Sequence, residues 1–377
     1  MSASPANPAS GFGASDPVVL TGAGLSVPGG GFHVDPWEPV ERAVITHGHA
    51  DHATRGCGSY LCTPETEAIL RVRLGRDIDI TPLPLGRPLA VGDAAISLHP
   101  AGHVLGSAQV RIDAPRRDAT RGRETWVISG DYGTQPNPTC AAFEPVPCDV
   151  FISECTFGLP IYRWPDPSVV ARELNRWWTG NADRGRSSVV FAYALGKAQR
   201  VLSMLDRSIG PVLVHGAMRR LTEVYRAAGV DLPETPHATA ASIRAARGRA
   251  MVVAPPSAAG SPWLRRFDPA STAFASGWMR VRGARRRRAA DRGFVLSDHA
   301  DWDGLLEAIA ATGAERIGVT HGSVEIMARR LQELGHRTAI YPTRYEATPD
   351  VDVDAGFDAA ADETAPEAAA ETGAEAS

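Results

Sequence analysis

Short apolar runs alternate with helical segments through most of the 377-residue chain. This alternation is typical of α/β proteins, in which helices cover the faces of sheets. Residues 17 to about 160 are rich in predicted strands. One helix is predicted to open at Thr63-Pro64 and another at Asp166-Pro167, because a capping residue followed by proline marks a helix start.

After the second helix start, strands and helices alternate regularly to about residue 285. The predicted elements, in the order strand, helix, strand, helix and strand, cover residues 189–193, 197–205, 211–214, 218–227 and 251–254. Such a pattern predicts parallel strands joined by helices, so we interpret this region as a doubly wound parallel insert. Residues 294–342 return to strands that end in metal-ligand residue types.

Charge is unevenly distributed along the chain. The formal net charge is −4, but the segment from Asp350 to Ser377 holds nine acidic and no basic residues, so the rest carries +5. We expect residues 346–377 to be an acidic disordered tail, since they have too little apolar content to fold. Arginines concentrate between Arg280 and Arg292. They suit a polyphosphate backbone, although a solvated loop could have the same composition.

Composition argues against a membrane protein and against a disulfide-rich one. No apolar stretch approaches the roughly 18 residues that a transmembrane helix needs. Residues 1–16 lack the basic and apolar regions of a signal peptide, and we expect them to be disordered. The five cysteines form no Cys-x-x-Cys pair, which argues against a disulfide framework and a thiolate zinc site. We therefore expect a cytoplasmic protein with no membrane partner.

The densest cluster of chemically active residues is the segment HGHADH at residues 47–52, directly after an apolar run. His47 and His49 point the same way in an extended chain, and a turn would bring Asp51 and His52 toward a neighbouring position. Imidazole and carboxylate are the ligands of hydrolytic zinc sites, which keep one position open for water. A histidine-rich surface turn is the alternative, but four ligand-type residues in six rarely coincide by chance.

Three further ligand-type residues follow apolar runs elsewhere in the chain, namely His103, Asp131 and His321. Each comes at the end of a predicted strand, close to small residues such as glycine. Taken singly, each would suit a structural polar residue. Their repeated placement predicts one shared rim of a sheet-based scaffold, at which they would meet the HGHADH residues.

These motifs resemble those of the metallo-β-lactamase hydrolase superfamily: HGHADH, then HVLGSA at residues 103–108, then GDY at residues 130–132. The β-CASP branch of this superfamily cleaves nucleic acids and has three further motifs. Three segments of this chain resemble them, namely SECTFG, SDHAD and THG. A narrower resemblance is to the bacterial ligase-associated DNA exonucleases. It rests on four segments of this chain, FHVDPW, ALGKAQR, SGWM and LSDHADW. The resemblance runs from about residue 17 to residue 345 without a missing motif.

The resemblance implies an α/β fold in which an αββα metallo-β-lactamase sandwich is interrupted by an inserted α/β β-CASP domain. The active site would lie in the cleft between the two. The implied boundaries assign residues 17–160 and 291–345 to the sandwich and residues 161–290 to the insert.

The resemblance also implies two zinc ions per chain, for which Mn²⁺ could substitute. One ion would be held by His47, His49, His103 and Asp131, and the other by Asp51, His52, His321 and the shared Asp131. Zinc lowers the pKa of bound water from about 15.7 to about 7, which yields hydroxide for attack at phosphorus. A carboxylate with two oxygens is suited to bridge both cations.

Further residues would complete the catalytic machinery. His299 would protonate the leaving oxygen, and Glu154 would stabilise its imidazolium. Asp51 would contribute to catalysis as a metal ligand, whereas Asp35 would orient a ligand imidazole. The structural alternatives are a helix cap formed by the segment around His299 and a salt bridge formed by Glu154.

Phosphate binding is predicted for a second group of residues. Lys197, the only lysine of the chain, stands at a strand–glycine–helix junction that would aim N–H groups at an anion, although a plain helix start is the alternative. Lys197, Arg200 and Arg280 would bind the nucleic-acid backbone. Ser276 and Gly277 would complete the phosphate cradle with their backbone N–H groups.

The resulting interpretation is a zinc-dependent exonuclease that degrades DNA in repair, alongside a DNA ligase and a helicase. A β-CASP ribonuclease that processes RNA 3′ ends would share every metal ligand and is the nearest alternative. A hydrolase of small substrates would not need an insert of this size. A non-enzymatic nucleic-acid-binding protein would be expected to have lost ligands, and none is missing.

Overall fold

The computed structural model describes residues 11–13, 16–115, 122–281 and 290–344. The expected acidic tail, the arginines from 282 to 288 and most of the expected disordered N-terminus lie outside these residues. Within that N-terminal segment, Gly11 N donates to Ile340 O at 3.0 Å, and the ring of Phe12 packs against Trp126.

The described residues form eighteen strands in three sheets, together with seven α-helices, so the fold is mixed α/β. The helices are α1 (Pro64–Leu74), α2 (Pro167–Ala182), α3 (Lys197–Ser203), α4 (Arg219–Ala227), α5 (Ala240–Ala246), α6 (Trp302–Thr312) and α7 (Val324–Glu333). Both helix starts that the sequence predicts are confirmed. Thr63 Oγ1 accepts from Thr66 N at the start of α1, and Asp166 caps α2 in the same way.

The first two sheets contain thirteen of the eighteen strands. The first sheet has six strands in chain order, β1 (Val19–Thr21), β2 (Gly24–Val27), β3 (Phe32–Val34), β4 (Arg42–Val44), β5 (Ser59–Cys62) and β6 (Ile80–Pro82). The second sheet has seven: β7 (Leu89–Val91), β8 (Ala94–Pro100), β9 (Ala108–Pro115), β10 (Arg123–Ile128), β11 (Val150–Cys155), β17 (Arg316–Gly322) and β18 (Arg337–Ile340). Its spatial order is β18-β17-β11-β10-β9-β8-β7, antiparallel from β7 to β10 and parallel beyond.

Alternate residues of the second sheet face two different cores. Trp126 and Ile128 of β10 point into the interior that is shared with the first sheet, whereas Val127 points to the opposite face. Helices α6 and α7 cover that opposite face, and α1 covers the outer face of the first sheet. The chain therefore stacks four layers in the order helix, sheet, sheet, helix.

The third sheet consists of five parallel strands in the order β13-β14-β12-β15-β16. They are β12 (Ser187–Phe191), β13 (Val212–Val214), β14 (Met251–Ala254), β15 (Ala270–Ala275) and β16 (Arg292–Phe294). Helices α2, α3 and α4 pack on one face of this sheet and α5 on the other, which confirms the predicted doubly wound parallel arrangement. The sheet ends at Phe294, beyond the predicted insert boundary at residue 290.

The third sheet packs over the edge of the four-layer unit. Ile69 of α1 and Leu105 belong to the same apolar cluster as the helices of the third sheet. Leu105 N also donates to the hydroxyl of Tyr225 at 3.1 Å. Leu195 and Gly196, which follow β12, lie beside His49 and Val104 in the loops after β4 and β8. Of the helices in the described ranges, none has the length and apolarity that a membrane crossing requires.

Candidate active site

The ligand-type residues meet at one edge of the two facing sheets. Strand β4 leads into residues 47–52, β8 into His103 and β10 into Asp131, while β17 carries His321 near its carboxyl end. Parallel placement of these strand ends brings the side chains together, as the shared-rim prediction expects.

The first ligand group comprises His47, His49, His103 and Asp131, whose candidate ligand atoms all lie within 4.8 Å of one another. The nitrogens His47 Nε2 and His103 Nε2 are 3.0 and 3.1 Å from His49 Nδ1. Asp131 Oδ2 is 3.6 Å from His47 Nε2. Three imidazole nitrogens and a carboxylate thus converge on one point, which is the donor set of a divalent metal site.

The second ligand group comprises Asp51, His52 and His321, again within 4.8 Å of one another. His52 Nε2 lies 3.6 Å from Asp51 Oδ2 and 3.4 Å from Asp131 Oδ2. Asp131 therefore stands between the two groups, in the position that a bridging carboxylate would occupy.

Several buried polar atoms at this site have no hydrogen-bond partner among the described residues, namely Asp51 Oδ1, His52 Nε2 and Asp131 Oδ1. A buried carboxylate oxygen without a partner is costly, because it loses its hydration and gains nothing in return. Bound cations would compensate that cost, and nitrogen and oxygen donors are the types that divalent transition metals accept. The residues of both groups therefore fit divalent metal ions.

The protonation states also suit metal binding. Burial, together with neighbouring imidazoles, holds the pKa of His47 and His103 well below the ordinary histidine value, so both rings are neutral, the form that binds a metal. Burial alone would raise the pKa of Asp131, but the charges of His52 and His299 outweigh it and keep the carboxylate ionised. For His52, burial is outweighed by Asp131 and Asp51, which raise its pKa. That excess of negative charge is what a cation would neutralise.

Hydrogen bonds from the outer nitrogens orient the ligand imidazoles. Asp35, held at a positive φ of 44°, accepts from His52 Nδ1 at 2.8 Å and from Thr46 N at 2.8 Å. Asp35 thus contacts both the imidazole of His52 and the backbone of Thr46, and its orienting role stays a prediction. His103 Nδ1 donates to Asp298 O at 3.1 Å, which leaves Nε2 for a metal.

His49 is held in the same manner by a different segment of the chain. Its Nε2 lies 3.3 Å from Leu195 O, at the carboxyl end of β12, which leaves Nδ1 for a metal. These two backbone partners, Leu195 O and Asp298 O, are not evident from the sequence, because a carbonyl group carries no residue signature. The only hint is that each lies within a motif of the resemblance.

His299 and Glu154 form a hydrogen-bonded pair beside the first ligand group. His299 Nδ1 is 2.8 Å from Glu154 Oε1, and Glu154 also accepts from Tyr132 N and Thr156 N. Burial disfavours the imidazolium, but the charges of Glu154 and Asp131 outweigh it and raise the pKa of His299 to about 9. Glu154 is fully buried, whereas the His299 side chain remains 19% exposed. His299 can therefore carry a proton at neutral pH and offer it through Nε2.

A helix cap was the alternative role for the segment around His299, and a different residue of this segment forms that cap. Asp301, not His299, caps α6, because its side chain accepts from Gly304 N at 2.9 Å. His299 is thus left with its side chain turned to Glu154 and its backbone oxygen accepting from Trp164 Nε1.

Two of the predicted phosphate-binding residues are buried against Asp298. Lys197 Nζ lies 2.8 Å from Asp298 Oδ2, and Arg200 donates to Asp298 Oδ1 at 3.2 Å. Arg200 also donates to Ser297 O and to Pro136 O. With only 1% of Arg200 exposed, its guanidinium is not presented to a ligand, and the predicted phosphate contact is corrected to a structural role. The cause is that α3 packs between the third sheet and the loop of Asp298.

The remaining predicted phosphate-binding residues differ in accessibility. Ser276 is buried and caps a short turn, with its side chain accepting from Trp278 N at 3.3 Å. A Cβ on Gly277 would lie 2.7 Å from the ring of Phe157, so this glycine permits close packing. Arg280 is exposed, and its Nε donates to Ile161 O. Arg280 is therefore the most accessible of the five.

Comparison with known proteins identifies relatives but no family. No family model matches the chain. A protein of Opitutus terrae named probable DNA ligase is 31% identical over 313 residues, which cover 83% of this chain and 30% of that protein. A transcription termination factor FttA of Methanosarcina mazei is 24% identical over 236 residues, which cover 51% of this chain and 36% of that protein. The chain spans about a third of the length of these curated relatives.

One solved structure, a protein of unknown function from Enterococcus faecalis, is similar in fold. Its TM-score is 0.55 at 14% sequence identity, and the match covers 81% of this chain and 80% of that one. At this identity the similarity concerns the fold alone.

Proposed function

We propose that this chain is a metal-dependent nuclease that hydrolyses DNA. The observation that carries the proposal is the pair of adjoining His/Asp groups, with Asp131 of the first group 3.4 Å from His52 of the second, next to the His299–Glu154 pair. Two adjoining ligand groups and one proton donor suit two-metal hydrolysis of a phosphodiester, in which metals stabilise the attacking and leaving oxygens and an acid protonates the leaving group.

The proposal includes the metallo-β-lactamase and β-CASP architecture. Residues 17–160 and 291–345 would form the sandwich, and residues 161–290 the inserted domain. The four stacked layers and the parallel sheet support this division, except that β16 extends the parallel sheet to Phe294. Residues 1–16 and 346–377 would flank these domains, with Gly11 and Phe12 packed on the sandwich.

The metals would be two zinc ions, one in each ligand group, with Mn²⁺ as a possible substitute. When bound, they would acidify water and neutralise negative charge on the phosphate. Asp131 would link the two groups, and Asp35, Leu195 O and Asp298 O would keep the imidazoles in position.

His299 would supply the proton that the leaving group needs. As a water oxygen bonds to phosphorus, the bond from phosphorus to the leaving sugar oxygen breaks, and that oxygen takes the proton from His299 Nε2. Glu154 holds the opposite ring nitrogen at 2.8 Å and favours the protonated form before transfer. The attacking water releases one proton to solvent, and His299 regains one from solvent. Water is consumed, and the products are a phosphomonoester and a free hydroxyl end.

The relative that is named probable DNA ligase favours DNA as the substrate, and its match covers 83% of this chain. Since only 30% of that protein matches, its ligase name need not describe the matched part. A nuclease joined to a ligase would support a function in DNA repair with ligase and helicase partners. The relatives named transcription termination factor FttA favour the alternative, an RNA-cleaving nuclease.

The test uses end-labelled DNA and RNA oligonucleotides of the same sequence, with zinc or manganese added. We expect stepwise shortening of single-stranded DNA and its loss in Asp131→Ala. Cleavage of RNA with DNA untouched would replace DNA by RNA as the substrate. Failure of the metal-loaded protein to cleave either oligonucleotide would overturn the nuclease function.

A further inference from the structure

The loop that follows β11 and the short turn after β15 together carry a compact group of rings. Phe157, Tyr162, Trp164 and Trp278 pack together, and we refer to these four residues as the aromatic shelf. The ring of Phe157 lies at the centre, with centroids 4.9 Å from Tyr162, 4.8 Å from Trp164 and 4.8 Å from Trp278. Gly277 has no side chain to interrupt this packing. The position of Trp278 is therefore fixed by its neighbours.

The aromatic shelf contacts the proposed proton donor directly. The centroid of Phe157 is 5.7 Å from that of His299 in an edge-to-face arrangement. Trp164 Nε1 donates to His299 O at 2.9 Å. The shelf thus adjoins the His299 side of the site.

The outer part of this region is apolar, accessible and next to a cation. Ile161 is 53% exposed, the highest value among the large exposed hydrophobic residues of the described chain. Trp278 is only partly buried, and Arg280 donates from Nε to Ile161 O at 3.3 Å. An aromatic and an aliphatic surface beside an arginine match the alternating base and phosphate chemistry of a single strand.

We infer that Ile161 and the partly exposed Trp278 form a subsite for one nucleobase, that of the leaving nucleoside. The inference rests on the proposed function. His299 must lie next to the leaving oxygen in order to protonate it, so the leaving nucleoside lies on the His299 side. The aromatic shelf is the surface that adjoins this side, and a base can stack there without sequence preference.

The experiment compares two short single-stranded DNA oligonucleotides as substrates of the zinc-loaded protein. The products of the wild-type protein first identify which bond is cleaved first. The two oligonucleotides then differ only at the nucleoside that carries the leaving oxygen of that bond. One carries thymine there, and the other carries an abasic tetrahydrofuran residue. The measured quantity is kcat/KM for each oligonucleotide in wild type, Trp278→Ala, Trp278→Phe and Ile161→Ala.

Trp278→Ala should lose about 5- to 150-fold on the thymine substrate, the range for loss of one stacked base, and less than about twofold on the abasic one. Trp278→Phe should recover most of the loss, because it keeps a ring. Ile161→Ala should show a smaller loss in the same direction. Leu334→Ala, which truncates another half-exposed apolar residue at the end of α7, should leave both values unchanged.

The contrary results are separable. Equal losses on both substrates would give Trp278 a purely structural role, and no loss on either would leave the exposed surface for another partner. Each of these outcomes overturns the subsite while the nuclease function stands. A wild-type protein that cleaves neither oligonucleotide would overturn both.

Discussion

Lys197 Nζ donates to Asp298 Oδ2 at 2.8 Å, and this ion pair joins the first turn of α3 to the loop that carries His299. Both side chains are buried, and Arg200 contacts the second oxygen of the same carboxylate. The backbone oxygen of Asp298 meanwhile holds His103 in place. One residue thus links the third sheet, a candidate metal ligand and the proposed proton donor.

The first prediction concerns stability. Asp298→Asn should lower the free energy of unfolding by about 3–5 kcal/mol, because it leaves two buried cations without their counter-charge. Urea denaturation of wild type and variant measures the difference. As a control, Asp231→Asn removes a carboxylate from the exposed pair with Arg207 and should barely change the midpoint. An Asp298→Asn protein as stable as wild type would show that the buried pair contributes nothing.

The second prediction concerns the pH dependence of that difference. Burial would raise the pKa of Asp298, but Lys197 and Arg200 outweigh it and hold the pKa below the ordinary value. A carboxyl group with a lowered folded pKa stabilises above its unfolded pKa of about 4, and loses that contribution as pH falls toward the folded value. The gap between wild type and Asp298→Asn should be full at neutral pH and shrink in acid. Urea unfolding curves at several pH values measure this difference in the free energy of unfolding. A difference that widens in acid would contradict a lowered pKa of Asp298.

The third prediction concerns the metals. Asp131→Ala should lose both ions, because its carboxylate adjoins both ligand groups, whereas His52→Ala should weaken mainly the group of Asp51 and His321. Elemental analysis of the purified proteins reports the metal content directly. Full occupancy of both positions in Asp131→Ala would argue against a bridging carboxylate.

The fourth prediction concerns His299. His299→Ala should retain its metals and fold, but lose roughly 10²–10⁴-fold in turnover of an oligonucleotide, the usual contribution of general acid catalysis. A nitrophenyl phosphodiester has a leaving group that needs little protonation, so its hydrolysis should be partly spared. Equal losses on the two substrates would instead make His299 a metal ligand or a structural residue.

The fifth prediction concerns the pair of His299 and Glu154. Burial lowers the pKa of His299, but the charge of Glu154 outweighs burial and raises this pKa above the ordinary histidine value, so turnover should fall only as pH rises through the raised pKa. Glu154→Gln removes the principal charge that raises the pKa, so the decline should begin at lower pH. Profiles of kcat against pH compare the two proteins. A decline at the same pH in both would assign it to another group.

Local signals in the sequence determined much of the fold. A capping residue before Pro64 and another before Pro167 were sufficient to predict where α1 and α2 begin, because helix starts depend on neighbouring residues. The strand at Met251–Ala254 was predicted with its observed bounds. Strands β15 and β16 were not predicted, although they complete the third sheet. Their pairing partners lie far away in the sequence, and no local pattern identifies them.

The candidate metal ligands were likewise predictable, because imidazole and carboxylate groups at strand ends can be read in the sequence. The tertiary structure alone decided which neighbours these groups would have. Arg200, expected to reach a phosphate, instead packs on Asp298, which is 98 positions away along the chain. An arginine at a helix start looks the same whether it faces solvent or a buried carboxylate. Only the packing of α3 against a distant loop determines which of the two it meets.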